Sequence, residues 1–195
     1  YVHLMPNTAA STPLDGWTSS TNNIKPQIAD QVALGYFKNL GPDGNNYETS
    51  VEVYYKDMQN QIDYADRSNL FLNPFFEKDL LFGEGRAYGI EFFVKKNVGK
   101  LTGWISYTLA RSERKIGGLN GGEWYANRYD RTHNLNVIGQ YSLSDKWSFG
   151  ANFAYITGVP YSIPSQKYVY EGIAYPQTLP GTRGNIRVPD YNRLD

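Results

Sequence analysis

Along much of this chain apolar and polar residues alternate with a period of two, the mark of β-strands with two unlike faces. From Ala87 onward, Tyr88, Ile90, Phe92 and Val94 alternate with Ala87, Gly89 and Glu91 before Lys95 and Lys96. Asn97-Val98-Gly99-Lys100 predicts a tight turn, because Asn and Gly tolerate positive φ. Leu101, Gly103, Ile105, Tyr107 and Leu109 then share one face, with Thr102, Ser106, Thr108 and also Trp104 on the other. A second hairpin repeats the plan: Leu135, Val137, Gly139, Tyr141 and Leu143 face one way, and Asn134, Asn136, Gln140 and Ser142 the other. Ser144-Asp145-Lys146 turns the chain, and Trp147, Phe149, Ala151, Phe153 and Tyr155 return opposite Ser148, Gly150, Asn152 and Ala154. Earlier, Ile28, Val32, Leu34 and Tyr36 alternate with Gln27, Gln31, Ala33 and Gly35. A turn over 41–46 follows, and then Val51, Val53 and Tyr55 oppose Ser50, Glu52, Tyr54 and Lys56. The pattern predicts about six full strands and two partial ones, at 1–4 and 191–195.

Short and long connections alternate. The turns at 41–46, 97–100 and 144–146 are short, whereas 5–26, 65–86, 112–131 and 158–190 are long. In an up-and-down sheet, alternate connections lie at the same end. All the short turns therefore fall at one rim and all the long loops at the other, as in outer-membrane barrels with periplasmic turns and extracellular loops. A compact soluble domain rarely carries four such loops.

Strand by strand, the same alternation fits a soluble β-sandwich binding module whose apolar face is core. Two features favour the membrane: the loop alternation, and aromatic residues near strand ends, where Trp147, Tyr141, Tyr155, Tyr36 and Tyr55 resemble an interfacial girdle. A small adhesin-like barrel remains open beside these readings. No run approaches the ~20 apolar residues of a transmembrane helix, but a spanning strand needs only about 10 residues and shows lipid every second one.

The composition narrows the chemistry. Lys plus Arg number 19 and Asp plus Glu 19, so the net charge is zero. No field concentrates polyanions, and nucleic acid is not expected as a partner. With no Cys, thiolate metal sites, thiol nucleophiles and disulfides are unavailable. Aromatic residues make up 15% of the chain, including 17 Tyr, and the 19 Gly suit strands and turns better than helices. Tyr1-Val2-His3-Leu4 includes no initiator Met and no basic, then apolar, signal segment. Residues 191–195 read as a strand that has only begun, so both ends are expected to be cut and residues 1–195 to form part of one barrel domain.

Catalytic signals are weak. Only His3 and His133 supply imidazole, and no Ser or acid stands at motif spacing from His133, which disfavours a barrel hydrolase. No catalytic, metal-binding or cofactor-binding residue is expected. Asp63, Asp66 and Asp79 are too scattered for a calcium loop. The glycine-rich 117–122 is a loop tip with no helix behind it to make a phosphate cradle.

Several strings in order resemble the TonB-dependent receptor family. They are Gly85-Arg86-Ala87-Tyr88-Gly89-Ile90-Glu91, Lys95-Lys96-Asn97, Gly103-Trp104-Ile105-Ser106-Tyr107-Thr108-Leu109, Gly122-Glu123-Trp124-Tyr125, Tyr129-Asp130-Arg131-Thr132-His133, Gly158-Val159-Pro160 and Pro189-Asp190-Tyr191-Asn192-Arg193-Leu194-Asp195. The similarity runs from about Pro26 onward and is specific as a set. It departs at Asn192, where the family often has His. The resemblance implies an all-β, antiparallel, up-and-down transmembrane barrel of 22 strands, of which this chain supplies about the twelfth to the nineteenth. It also implies a Gram-negative outer-membrane location, an N-terminal plug domain inside the barrel, coupling to TonB, and uptake of a ferric siderophore, a cobalamin-like cofactor or an oligosaccharide.

Two residue sets follow as expectations. Trp124, Tyr125, Arg128, Tyr129 and Arg131, in or beside a long loop, are candidates for contacting an extracellular nutrient. Glu52, Lys56, Glu91, Lys95, Asn136 and Gln140, on polar strand faces, are candidates for facing the lumen and its plug.

Overall fold

The computed structural model describes residues 2–5, 16–42, 46–66, 75–177 and 181–195, with side chains from Ser19 onward except that of Gln177. The expected turn at 41–46 and the expected loops at 5–26, 65–86 and 158–190 lie partly outside these residues, as do Tyr1 and the side chain of Trp17.

Among the described residues, every regular element longer than a single turn is a β-strand. In chain order they are β1 (Val2–Met5), β2 (Gly16–Ser19), β3 (Ile28–Leu40), β4 (Tyr47–Tyr64), β5 (Leu80–Lys96), β6 (Leu101–Ile116), β7 (Tyr125–Ala126), β8 (His133–Ser144), β9 (Trp147–Ile156), β10 (Pro160–Tyr161), β11 (Gln166–Tyr170), β12 (Ile173–Gln177), β13 (Ile186–Arg187) and β14 (Tyr191–Leu194). The principal sheet runs β3-β4-β5-β6-β8-β9-β14, every neighbour antiparallel, with β7 added to the upper end of β6. This is an up-and-down meander with open edges at β3 and β14.

Three expectations are corrected by the strand bounds. β5 already begins at Leu80, so residues 80–86 of the expected loop at 65–86 are strand. β6 runs to Ile116, and the expected loop at 112–131 starts later and holds β7. The expected partial strand at the start is β1, which pairs with β2 in a separate two-stranded sheet and not with β3. In the first two cases the strands outrun the stretch of clean alternation, because beyond the membrane neither face must be apolar.

Cross-strand register aligns the faces. One row runs Tyr155, Leu135, Tyr107, Phe92, Val51, Tyr36 across β9, β8, β6, β5, β4 and β3, and the next runs Phe153, Val137, Ile105, Val94. On β3, β4 and β5 these rows are exposed, with Tyr36 at 64% and Phe92 at 40% of full accessibility, while Tyr107, Leu135, Val137, Phe153 and Tyr155 are half-buried. The opposite, polar face is the more crowded on β4, where Glu52, Tyr54 and Lys56 are half-buried while Val51, Val53 and Tyr55 stand clear. That inverts a soluble sandwich, whose apolar face is the buried one. It is the arrangement of a sheet curved toward a polar interior with its apolar face turned to lipid.

The apolar band has an upper limit. Above the stacked pair Tyr55–Tyr88, whose ring centroids are 6.4 Å apart, the same outer face carries Asp30, Asp57, Arg86 and Glu113 in a single row. Charges of this density mark where hydrocarbon ends. The strands β4, β5 and β6, with 18, 17 and 16 residues, therefore rise past the ~10 residues that cross a bilayer. A small core lies in this upper part, where Ile24, Ile62, Tyr64 and Leu80 pack together with Phe76 against them.

Candidate functional site

The upper rim is built from the extended strand ends and the two loops at 117–132 and 157–190. A bulge in β4 between Met58 and Gln61 sets two residues, Gln59 and Asn60, against Glu84 of β5. Asn60 takes a positive φ of 55°, and its side-chain amide donates to the Pro26 carbonyl at 2.8 Å. The extra residue switches which residues of β4 face inward. Below the bulge Glu52 and Lys56 are on the polar face; above it Gln61 and Asp63 take their place.

Asp63 becomes the centre of a buried polar cluster. Arg183, from the far end of the 157–190 loop, donates from Nη1 to Asp63 Oδ1 at 2.5 Å, from Nε to Asp66 Oδ1 at 3.1 Å, and from Nη2 to the Tyr64 carbonyl. Asn120 fastens the backbone of Arg183 on both sides, at 2.9 and 3.1 Å. Tyr125 donates its hydroxyl to Asp63 Oδ2 at 3.3 Å. Burial first, and the Asp63 carboxylate second, push the Tyr125 phenol well above its ordinary range, so it stays a donor. Arg183 keeps its charge firmly despite burial, because Asp63 and Asp66 outweigh the desolvation.

A second cluster holds the other end of the same loop. Asp130 is fully buried and accepts the Ser112 backbone N–H at 2.6 Å and the Arg187 guanidinium. Arg187 Nη1 also donates to the Gly158 carbonyl at 2.9 Å. Asp190 accepts the Tyr155 hydroxyl at 2.6 Å and the Gly158 N–H at 2.9 Å. Gly158 is obligatory here, since a Cβ would come within 1.7 Å of the Val188 carbonyl oxygen. Glu113 joins Arg86 at 2.8 Å and Arg111 at 3.2 Å on the outer face, and Trp124 lies against the Arg86 guanidinium at 4.1 Å.

The five candidate loop residues therefore separate. Trp124 is engaged with Arg86, and Tyr125 is drawn inward to Asp63. Arg128 stacks on Tyr129 with 5.3 Å to the ring centroid, while Tyr129 and Arg131 are exposed. The six candidate lumen residues share one face by register. Glu52 and Glu91 are direct cross-strand neighbours, Lys95 pairs with Glu48 at 3.5 Å, and Lys56 stands opposite Ala87. Asn136 donates to Asn134 at 3.0 Å, and Gln140 lies opposite Thr102.

Sequence reasoning missed Asp63, Arg114, Asp130, Arg183 and Arg187. Asp130 and Asp190 sat within strings that carried the family resemblance, which was the available signal. Nothing local pointed to Asp63 or Arg183, because 120 residues separate the partners.

Compared with known proteins, the chain matches the family model described as TonB dependent receptor-like, beta-barrel, over residues 4–195. No curated protein and no solved structure matches it.

Proposed function

The chain belongs to the TonB-dependent receptor β-barrel family, and from that premise we propose that its parent imports a scarce nutrient across a Gram-negative outer membrane by TonB-coupled transport. The family consists of outer-membrane receptor barrels, so the apolar outer face has a lipid partner. The observation that carries the reading is the inverted burial of β4, where Val51, Val53 and Tyr55 stand clear while Glu52, Tyr54 and Lys56 are half-buried. It supports a wall around a polar lumen. In the proposal, residues 1–195 are one part of the barrel domain, whose open edges at β3 and β14 pair with further strands. Glu52, Lys56, Glu91, Lys95, Asn136 and Gln140 face an N-terminal plug, and the loops bearing Trp124, Tyr125, Arg128, Tyr129 and Arg131 meet the nutrient outside. The nutrient is a ferric siderophore, a cobalamin-like cofactor or an oligosaccharide.

The experiment is growth with each nutrient class as the limiting source. A strain lacking the full-length gene should lose growth on one class, and restoring the gene should rescue it only where TonB is intact. Rescue that persists without TonB contradicts energy coupling.

A further inference from the structure

The connection between β9 and β14 is a built arm. β10 and β13 pair near its base. One step further out Asn185 brackets Ile163, its side chain accepting the Ile163 N–H at 3.1 Å and donating to the Ile163 carbonyl at 3.1 Å. Beyond them β11 and β12 form a hairpin of five residue pairs, closed by Glu171 and Gly172 at positive φ of 49° and 79°. Two such residues make the turn whose twist suits antiparallel strands. The ion pairs of Arg183 and Arg187 hold the arm to the rim.

Cross-strand register puts Gln166, Tyr168 and Tyr170 on one face of the hairpin with Tyr175 and Ile173, and Lys167 and Val169 on the other with Pro176 and Ala174. The Tyr168 and Tyr175 rings stack with centroids 5.1 Å apart and planes 15° from parallel, so each orients the other. They remain 52% and 38% exposed, and Tyr170 and Ile173 beside them 62% and 58%. All four aromatic residues of 158–190 are tyrosines, although the apolar face of the sheet uses Phe92, Phe149 and Phe153. Tyrosine joins a rigid apolar ring to a hydroxyl, the combination that binding loops favour. A two-stranded hairpin gains little from its own contacts, so this face is explained by what it meets.

Charge and area choose the occupant. The tyrosine face carries no ionised group, Lys167 lying on the back and Glu171 in the turn, so nothing in it attracts an anionic chelate. At these exposures each tyrosine offers on the order of 100 Å². The whole face then supplies about half of the roughly 800 Å² that each side of a stable protein interface buries. We propose that the face is a platform for a neutral oligosaccharide. Sugar rings lay their C–H faces on the tyrosine rings, and their hydroxyls exchange hydrogen bonds with the tyrosine hydroxyls and the Gln166 amide. The stacked pair meets the ligand already ordered, which lowers the cost of binding. The inference rests on the receptor reading above and selects the oligosaccharide from its nutrient classes.

The test uses purified full-length receptor in a detergent without a sugar headgroup, screened on an array of neutral and anionic oligosaccharides and titrated calorimetrically with the best neutral one. Saturable binding is expected. Tyr168→Ala and Tyr175→Ala should each weaken it about tenfold, and Tyr168→Phe, which keeps the ring, by clearly less. Tyr170→Ala leaves the stacked pair in place, so its expected several-fold weakening separates loss of contact from loss of the hairpin. Lys167→Gln, on the back, should change nothing. No saturable binding of a neutral oligosaccharide, a requirement for an anionic one, or unchanged affinity in Tyr168→Ala and Tyr170→Ala overturns the platform. Binding is measured without TonB. TonB-dependent growth on a nutrient without sugar binding overturns the platform alone, and sugar binding that supports no TonB-dependent growth overturns the transport reading alone.

Discussion

Glu52 on β4 and Glu91 on β5 stand directly opposite each other on the inward face of the sheet. Like charges in such cross-strand positions repel, and among the described residues neither has an ion-pair partner. Under the proposal that this face lines the lumen, the pair would receive cations from the plug. In the full-length receptor, E52Q/E91Q should loosen the plug, seen as faster hydrogen exchange in plug peptides with barrel peptides unchanged. In a barrel expressed without its plug, the same change should be neutral or stabilising by roughly 0.2–1 kcal/mol. Unaltered plug exchange would show that the two glutamates do not hold it.

The two faces of β8 and β9 make opposite demands on a charge. Val137 and Phe153 are neighbours in the apolar row, and Asn136 and Ala154 in the polar one. Arg at Val137 or Phe153 should cost about 2–4 kcal/mol of folding stability in lipid bilayers, and Arg at Asn136 much less. Equal costs on both faces would mean that the sheet is turned the wrong way round.

Much of the wall was legible in the sequence, and the reason is physical. Lipid on one side and water on the other force a strict period of two, so Tyr88, Ile90, Phe92 and Val94, or Phe149 and Phe153, declare both strand and face. Above the bilayer that constraint lapses. Leu80 to Arg86 are expected as loop because the alternation stops there, Leu80 being drawn into the small core and the charged Arg86 taking a place on the outer face, and β1 carries no mark of which strand it joins. The rim clusters were hidden for another reason: they depend on one bulged residue, Asn60, and on Arg183 returning across a long loop. Neither leaves a local pattern. The strings containing Asp130, Gly158 and Asp190 did stand out, and the structure gives them a shared task as clamps of the 157–190 loop.

One of those clamps is sensitive to acid. The Tyr155 hydroxyl first, and the Gly158 N–H second, hold the Asp190 carboxyl below its ordinary value of 3.8. A depressed folded-state pKa contributes stability that is complete above the unfolded value and lost as pH falls through the folded one. The Asp190 carboxyl-carbon resonance, identified by its loss in Asp190→Asn, should titrate with a midpoint below 3.8. The destabilisation caused by Asp190→Asn should likewise shrink toward nothing at still lower pH. A midpoint at or above 3.8 would contradict the clamp.

We propose that this sheet is a membrane wall with its long loops outside the cell and its short turns in the periplasm. Gly121 lies at the tip between β6 and β7, and Asp145 lies in the turn between β8 and β9. The chain contains no native Cys, so single cysteines at these two positions of the full-length receptor report on topology directly. In intact cells an impermeant thiol reagent should label position 121 and leave position 145 untouched until the outer membrane is permeabilised. Labelling at 145 with protection at 121 would invert the barrel, place the loops where no external nutrient reaches them, and contradict the account.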